Sequence, residues 1–474
     1  MTPFPWWIPM KTRRDMLARA PVGPLLLKLS APAIVGMAVM ALYNTVDAFF
    51  VGRGVGPDGI AGLTVSFPAQ ILMLGLGLLI GIGGSSIISR ALGASDQARA
   101  ERTLGNLLTL TLLVAAMAAA AGVFVNPAVL RLLGADDEVA SVARQYLRII
   151  LCGGVFTFFN IVAHNVMRAE GNVRAATLTM IVGAGLNILL DPLFIMTFGW
   201  GVTGAAAATV LANAIQSVVI VVYFAQSRSL LRFRFAATRL SWPLTREILT
   251  VGSSAFARNV GGCLMMIAVN RALTTHGGNN ALVVFGIMFR LNMFLFMPMF
   301  GIVQGFQPIA GFNFGAGNLL RVRRTITWAA ALCSVISITG FMMLISCPGF
   351  LVGLFTPDPG IRALARHAIP ISALALPTVG FQIVVATMYQ AFGRAIPALI
   401  LSSCRQILIL IPLVLVLPTY IGLDGIWASF PIADGTSALL SLALFITEMK
   451  RLSSGGDRAT RRLVATASTG ANSA

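Results

Sequence analysis

Residues 92–104 read LGASDQARAERTL, and residues 314–326 read FGAGNLLRVRRTI. Laid over each other, Gly93 meets Gly315, Arg99 meets Arg321, Arg102 meets Arg324 and Thr103 meets Thr325. The match extends outward at one spacing: FNIV from Phe159 faces FQIV from Phe381, and Gly171 faces Gly393, each 222 positions later. A constant offset across separate motifs marks an internal duplication. The chain is written twice, and one architecture has to serve both copies.

Around these basic stretches lie apolar runs of the length that crosses a bilayer's hydrocarbon core, about 20 residues. In the first copy they start near Leu25, Ile60, Leu104, Tyr146, Ala175 and Val202; in the second, near Ile248, Ala281, Thr325, Leu364, Pro397 and Gly425. Of the 474 residues, 57% are hydrophobic and 11% charged, whereas a water-exposed globule carries charge on roughly a quarter of its residues. The expected fold is an all-α polytopic membrane protein, with twelve transmembrane helices in two pseudo-symmetric six-helix bundles. Six spans per copy keep both copies in the same orientation, related by an axis along the membrane normal, with a substrate site between them. The divisions are a cytoplasmic N-terminal segment (1–24), an N-lobe (25–226), a basic linker (227–246), a C-lobe (247–449) and a tail (450–474). The tail is rich in Ser, Gly, Thr and Arg and is expected to be disordered.

The net charge of +18 would suggest a nucleic-acid partner in a soluble protein. Placed on the spans, however, 24 Lys and Arg fall on one side and seven on the other. That asymmetry is topological: it sets both termini in the cytoplasm of a bacterial cell, with the chain in the inner membrane, and removes nucleic acid from consideration. Residues 4–10 are too short for a signal peptide, and Lys11, Arg13 and Arg14 follow that stretch instead of preceding it. Trp6 and Trp7 would rest at the interface. The five cysteines lie in or beside apolar runs without metal spacing and read as small core hydrophobes. His164, His276 and His367 are scattered, with no HExxH, and no Walker GxxxxGK[ST] is present. An integral membrane enzyme is the weaker alternative. A monomeric transporter of small molecules without a cofactor, working in the lipid bilayer, is the expectation.

Charged side chains at the membrane midplane are costly and are functional candidates for that reason. Three carboxylates fall inside spans: Asp47, Asp191 and Asp434. Asn44 precedes Asp47 by three residues and Asn187 precedes Asp191 by four, so each pair shares a helix face. Pro192 withholds a backbone N–H from the carbonyl of Ile188, freeing it for water, a cation or a side chain. Thr209 offers a hydroxyl from the next span. Such oxygens could hold sodium, or let one of two neighbouring carboxyls take up and release a proton. Asp434, beside Gly435 and Thr436, reads as a structural hydrogen-bonding group.

Several segments carry a resemblance across nearly the whole chain. They are SAPAI and YNTVDAFFVGR in the first span, FP at Phe67 and Pro68, SRALGA from Ser89, MRAEGN from Met167, and LNILLDPLFI with GVTGAAAAT. The second half adds GFQPIAGFNFGAGN from Gly305 and RQILILIP from Arg405. At these motifs the chain resembles the MATE (multidrug and toxic compound extrusion) family, in its DinF/MepA-like bacterial branch. The resemblance implies two bundles flanking a V-shaped cleft and antiport of drugs against protons or sodium. It places Asp47, Asn187, Asp191 and Thr209 on the N-lobe cation site, with Asn44 alongside.

The second half departs from the symmetry. Its seventh and tenth spans contain no Asp or Glu, although another branch of the family keeps acids there. It carries Arg258, Arg290 and Arg405 inside apolar runs instead, read as structural or helix-capping, with contact to an anionic substrate group as the alternative. Met265, Met288 and Met293, with Phe289, suit a permissive substrate-contacting wall, and lipid-facing packing is the alternative reading. The function expected is export of amphiphilic, mostly cationic compounds in exchange for protons or sodium, by alternating access. A lipid-linked saccharide flippase of the same superfamily is the alternative within transport.

Overall fold

The computed structural model describes residues 10–124, 137–226, 229–232 and 238–471, all helical apart from the connections; Trp6, Trp7 and the side chain of Asn44 lie outside what is described. A short helix α1 (Met10–Arg19) leads into α2 (Val22–Gly54), α3 (Pro57–Gly93) and α4 (Gln97–Val123). The fourth span is the bent pair α5 (Asp137–Cys152) and α6 (Gly154–Ala169), followed by α7 (Val173–Pro192) and α8 (Gly201–Ala225). The second copy begins with α9 (Trp242–Gly315), continues through α10 (Leu319–Ser346) to a second bent pair, α11 (Pro359–Ala373) and α12 (Leu376–Ala391), and ends in α13 (Ala395–Ile421) and α14 (Leu423–Ala471).

A straight α9 of 74 residues would be about 110 Å long, far beyond the roughly 30 Å of a hydrocarbon core. It is two antiparallel limbs that turn at Gly278, where φ is 64° and ψ −164°. Among the described residues, nine helices meet the length and hydropathy of a span and the two bent pairs add two more. Dividing α9 brings the described spans to twelve. The backbone of α14 is helical to Ala471, and Ala, Arg and Leu in this stretch are good helix formers.

The duplication is written into the backbone. Gly171 and Gly393, one offset apart, both take the left-handed conformation at φ 78° and 71°, and so do Ser95 and Gly317 at 59° and 73°. Asp96 caps α4 by accepting from the Arg99 N–H at 2.9 Å, and Asn318, 222 residues on, caps α10 from Arg321 at 3.2 Å.

The same offset governs the joint between the lobes. A Cβ at Gly93 would fall on the carbonyl oxygen of Phe312, and one at Gly315 on that of Arg90. These four residues are repeat mates, so the contact maps onto itself when the halves are exchanged. Beside it, Gly83 lies on the Ile248 carbonyl and Gly252 on that of Leu79, where α3 meets the first limb of α9. The mate of that contact joins α2 to the second limb, with Gly305 against Ser30 and Gly301 against Ile34. Small residues let backbones approach this closely where the solvent is lipid.

All these contacts lie toward the end that carries both termini. One hydrophobic core runs through both halves there, from Leu25, Ile87 and Leu107 to Phe306, Ile326 and Tyr389. Toward the opposite end the core divides, into an N-lobe cluster around Val51, Tyr146 and Phe158 and a C-lobe cluster around Val269, Phe285 and Trp427. Every described hydrogen bond between the halves lies in the shared region, including Ser86 to the Gln390 carbonyl at 2.5 Å and Arg90 to Glu247 at 3.0 Å. The lobes are sealed at the termini and diverge into a cleft at the other end.

A Cβ at Gly83 or Gly252 has to push this seam apart. In a cysteine-free background, Gly252→Ala should raise the alkylation rate of a cysteine at Ser86, fully buried in the seam, by about fivefold or more, the effect of roughly 1 kcal/mol on an opening equilibrium. An unchanged rate would show that the seam absorbs the methyl group.

Candidate functional site

Inside the N-lobe, α2, α7 and α8 bring the four predicted residues together. Asn187 donates through Nδ2 to Asp191 Oδ1 at 3.2 Å and to Thr209 Oγ1 at 3.3 Å. Thr209 in turn donates to the Ala205 carbonyl at 3.0 Å. The Asp47 carboxyl lies within hydrogen-bonding reach of Asp191. Asp191 is fully buried and Asn187 nearly so. Directly after Asp191 the helix ends at Pro192, and a π turn (Leu193–Thr197) follows, with the Phe198 N–H bonded to the Leu193 carbonyl five residues back. Proline removes the donor that would continue the α ladder, so the backbone widens beside the carboxylate.

Three buried oxygens of this group, Asp47 Oδ1, Asn187 Oδ1 and Asp191 Oδ2, have no hydrogen-bond partner. Buried polar atoms are almost always paired, so three unpaired oxygens in one place make this cluster the candidate site. The donor set is all oxygen and carries two carboxylates, which suits a hard monovalent cation or a proton shared between the acids.

Sequence reasoning missed two neighbours. Tyr43 lies within hydrogen-bonding reach of Thr209, and Tyr146 of α5 lies within electrostatic range of Asp47 and Tyr43. Tyr43 was legible, because it stands one turn before Asp47 in YNTVD. Tyr146 carries no local signal and arrives only through the packing of α5.

A second polar layer lies about two turns nearer the termini. Asn160 donates to Gln216 at 3.1 Å and to the Asn213 carbonyl at 3.0 Å, Gln216 reaches the Thr179 carbonyl at 2.9 Å, and His164 meets Thr179 at 3.0 Å. Ser217 donates to Asn160 Oδ1 at 2.8 Å. None of these atoms is among the orphans. The satisfied layer is structural, and the unsatisfied one above it is the functional candidate.

The MatE family pattern matches residues 32–193 and again 256–416, once in each lobe. The chain belongs to the MATE family. It is similar to the multidrug export protein MepA of Staphylococcus aureus (strain MRSA252), 25% identical over 440 residues that cover 92% of this chain and 96% of that protein. Among solved structures it resembles the MATE multidrug transporter DinF-BH, at 40% identity and a TM-score of 0.84, covering 90% of this chain and 96% of that one. An outward-facing conformation of a multidrug resistance MATE transporter of the MOP superfamily matches at 27% identity and a TM-score of 0.85, covering 93% and 99%. Membership of a transporter family sets aside the membrane-enzyme reading.

In the C-lobe of this MATE transporter, Arg405 and Asp434 form an ion pair at 2.5 Å. The Asp434 carbonyl also accepts from Gln382 at 3.1 Å. Arg405 sits in a second π turn (Cys404–Leu410), which swings the guanidinium onto α14. Of the methionine wall, Met288 is a buried member of the C-lobe core and Met265, partly buried, packs against that core. Met293 and Phe289 are exposed at 43% and 40%.

Breaking a buried ion pair from one side leaves an uncompensated charge, at a cost of about 3–5 kcal/mol, whereas replacing both partners with apolar residues is often neutral. Arg405→Met should therefore lower the melting temperature markedly, and Arg405→Met with Asp434→Leu should recover most of the loss. A double variant no more stable than the single would show that the pair is not the structural unit.

Proposed function

We propose that this protein is a secondary active antiporter that exports amphiphilic, mostly cationic drugs or toxic compounds in exchange for protons or sodium. The cluster of partnerless buried oxygens at Asp47, Asn187 and Asp191 carries this reading. Two carboxylates within hydrogen-bonding reach of each other cannot both stay charged and uncompensated in a membrane interior. A cation or a proton bound there on one side of the membrane, and released on the other, ties substrate movement to an ion gradient. Asp47, Asn187, Asp191 and Thr209 would hold sodium; the two carboxyls alone would hold a proton.

The sealed end and the divided cores support alternating access. One helix of the seam, α2, which packs through Ser30 and Ile34 on Gly305 and Gly301, also bears Asp47, so filling or emptying the site bears on the seam. What is known by name of MepA and DinF-BH, multidrug export and multidrug transport, supports the same cargo for this chain. The protein is expected to work as a monomer.

The positive charge sets the orientation, with the sealed, terminal-bearing end in the cytoplasm of the bacterial cell. Ala98 and Arg324, both exposed at that end, give the check. Single cysteines there should react with an impermeant thiol reagent only when it reaches the cytoplasmic face. Labelling of either from outside intact cells would reverse the orientation.

Asp191→Asn keeps the side chain's shape and removes the ionisable carboxyl. In proteoliposomes the variant should still bind substrate and fail to drive flux under an imposed proton or sodium gradient. Asp47→Asn should do the same less severely, and the double variant should be little worse than the stronger single, since groups that act as a unit are not additive. Asn187→Ala and Thr209→Ala should weaken sodium-driven more than proton-driven flux. Full gradient-driven transport by folded Asp191→Asn would eliminate the assignment.

A further inference from the structure

We propose that Arg290 anchors an anion-binding site on the cleft wall, taking a lipophilic organic anion or the anionic group of a zwitterionic amphiphile. The inference rests on reading the cleft as the substrate passage and extends its cargo beyond cations. Gly301 faces the N-lobe, packed on Ile34. Arg290 lies eleven residues earlier on the same limb of α9, about three full turns, which returns it to within about 20° of the direction of Gly301. Arg290 therefore points at the N-lobe at a level where the lobes have parted, and it is exposed. A guanidinium about 18 Å along the helix from the turn at Gly278 is too deep to face hydrocarbon at low cost, so the water-filled cleft is its place.

No internal counter-ion is left for it among the described residues. The described carboxylates of the C-lobe are all engaged: Glu247 with Arg90 and Arg99, Asp424 with His367, Asp434 with Arg405, Glu448 with Arg394, and Asp358 with the N–H groups of Gly360 and Ile361. Across the cleft, Asp47 stands thirteen residues from Ile34 on α2, which turns it about 140° away, into the N-lobe. Arg290 itself makes no described hydrogen bond or ion pair. Its surroundings suit an amphiphile. Phe294, 66% exposed, shares its face. On the first limb, Asn270 lies five turns from Gly252 and is exposed toward the same side. A planar cationic fork beside an exposed ring recognises a carboxylate, sulfonate or phosphate attached to an apolar body.

Tetraphenylborate and tetraphenylphosphonium, nearly alike in shape and opposite in charge, test this in lipid-free detergent by titration calorimetry. Arg290→Gln should weaken tetraphenylborate binding about tenfold, through loss of the guanidinium's Coulombic attraction and its cation–π contact with the phenyl rings, and leave tetraphenylphosphonium binding equal or tighter. Arg290→Lys should keep most of the borate affinity, and the phosphonium reports that both variants are folded. Equal borate affinity in wild type and Arg290→Gln overturns the proposal, as does an equal loss of both probes in a folded variant. Competition by phosphatidylglycerol assigns the anion to a lipid headgroup, and competition by a fatty carboxylate alone assigns it to cargo; both outcomes keep the site. The assay needs no gradient, so a failed coupling test at Asp191 leaves it readable.

Discussion

The rest of the molecule depends on the contact between a glycine and a carbonyl oxygen across the two copies. In lipid there is no large hydrophobic gain from bringing helices together, so halves join where backbones can approach closely. Gly93 and Gly315 do this on the pseudo-two-fold axis, and Gly83, Gly252, Gly301 and Gly305 do it on either side. Because the contacts are confined to one end, the same device that joins the lobes also decides where they part. The position of the cleft is a consequence of where the glycines lie.

The two copies have divided the work of handling charge. The N-lobe keeps two carboxylates whose remaining oxygens are unsatisfied, and a satisfied amide layer beneath them holds the helices that present them. The C-lobe commits its deep carboxylate, Asp434, to Arg405. A neutralised ion pair contributes geometry without inviting a mobile ion. Duplicated scaffolds thus treat their deep carboxylates differently, one lobe leaving oxygens unpaired and the other pairing its carboxylate with an arginine.

Much of this was legible in the sequence, and the parts that were not share a reason. The offset of 222 announced the duplication, and it reappears in the φ angles of Gly171 and Gly393, whereas the glycine contacts between the lobes emerged only from the structure. Asp47, Asn187, Asp191 and Thr209 were readable because polar groups stand out against apolar spans. Tyr146 and Met288 were not. An aromatic or thioether in an apolar run looks the same whether it faces a site, a core or lipid, and only the rotation of its helix decides. That rotation carried Met288 into the C-lobe core and Arg290 onto the cleft.

The base of the N-lobe bears on how the chain is made. Glu170, at the end of α6, receives Arg13 of α1 at 3.5 Å and the Leu230 N–H of the linker at 3.0 Å, with the Ser229 hydroxyl on its other oxygen. Tyr223 joins the cluster, its hydroxyl oxygen accepting from Arg13 at 3.3 Å and from Asn172 at 2.9 Å. Every atom of this clasp belongs to residues that leave the ribosome before α9 begins. The first six spans can therefore tie off their own underside during synthesis, and the second six meet a finished template whose glycine face already waits for them.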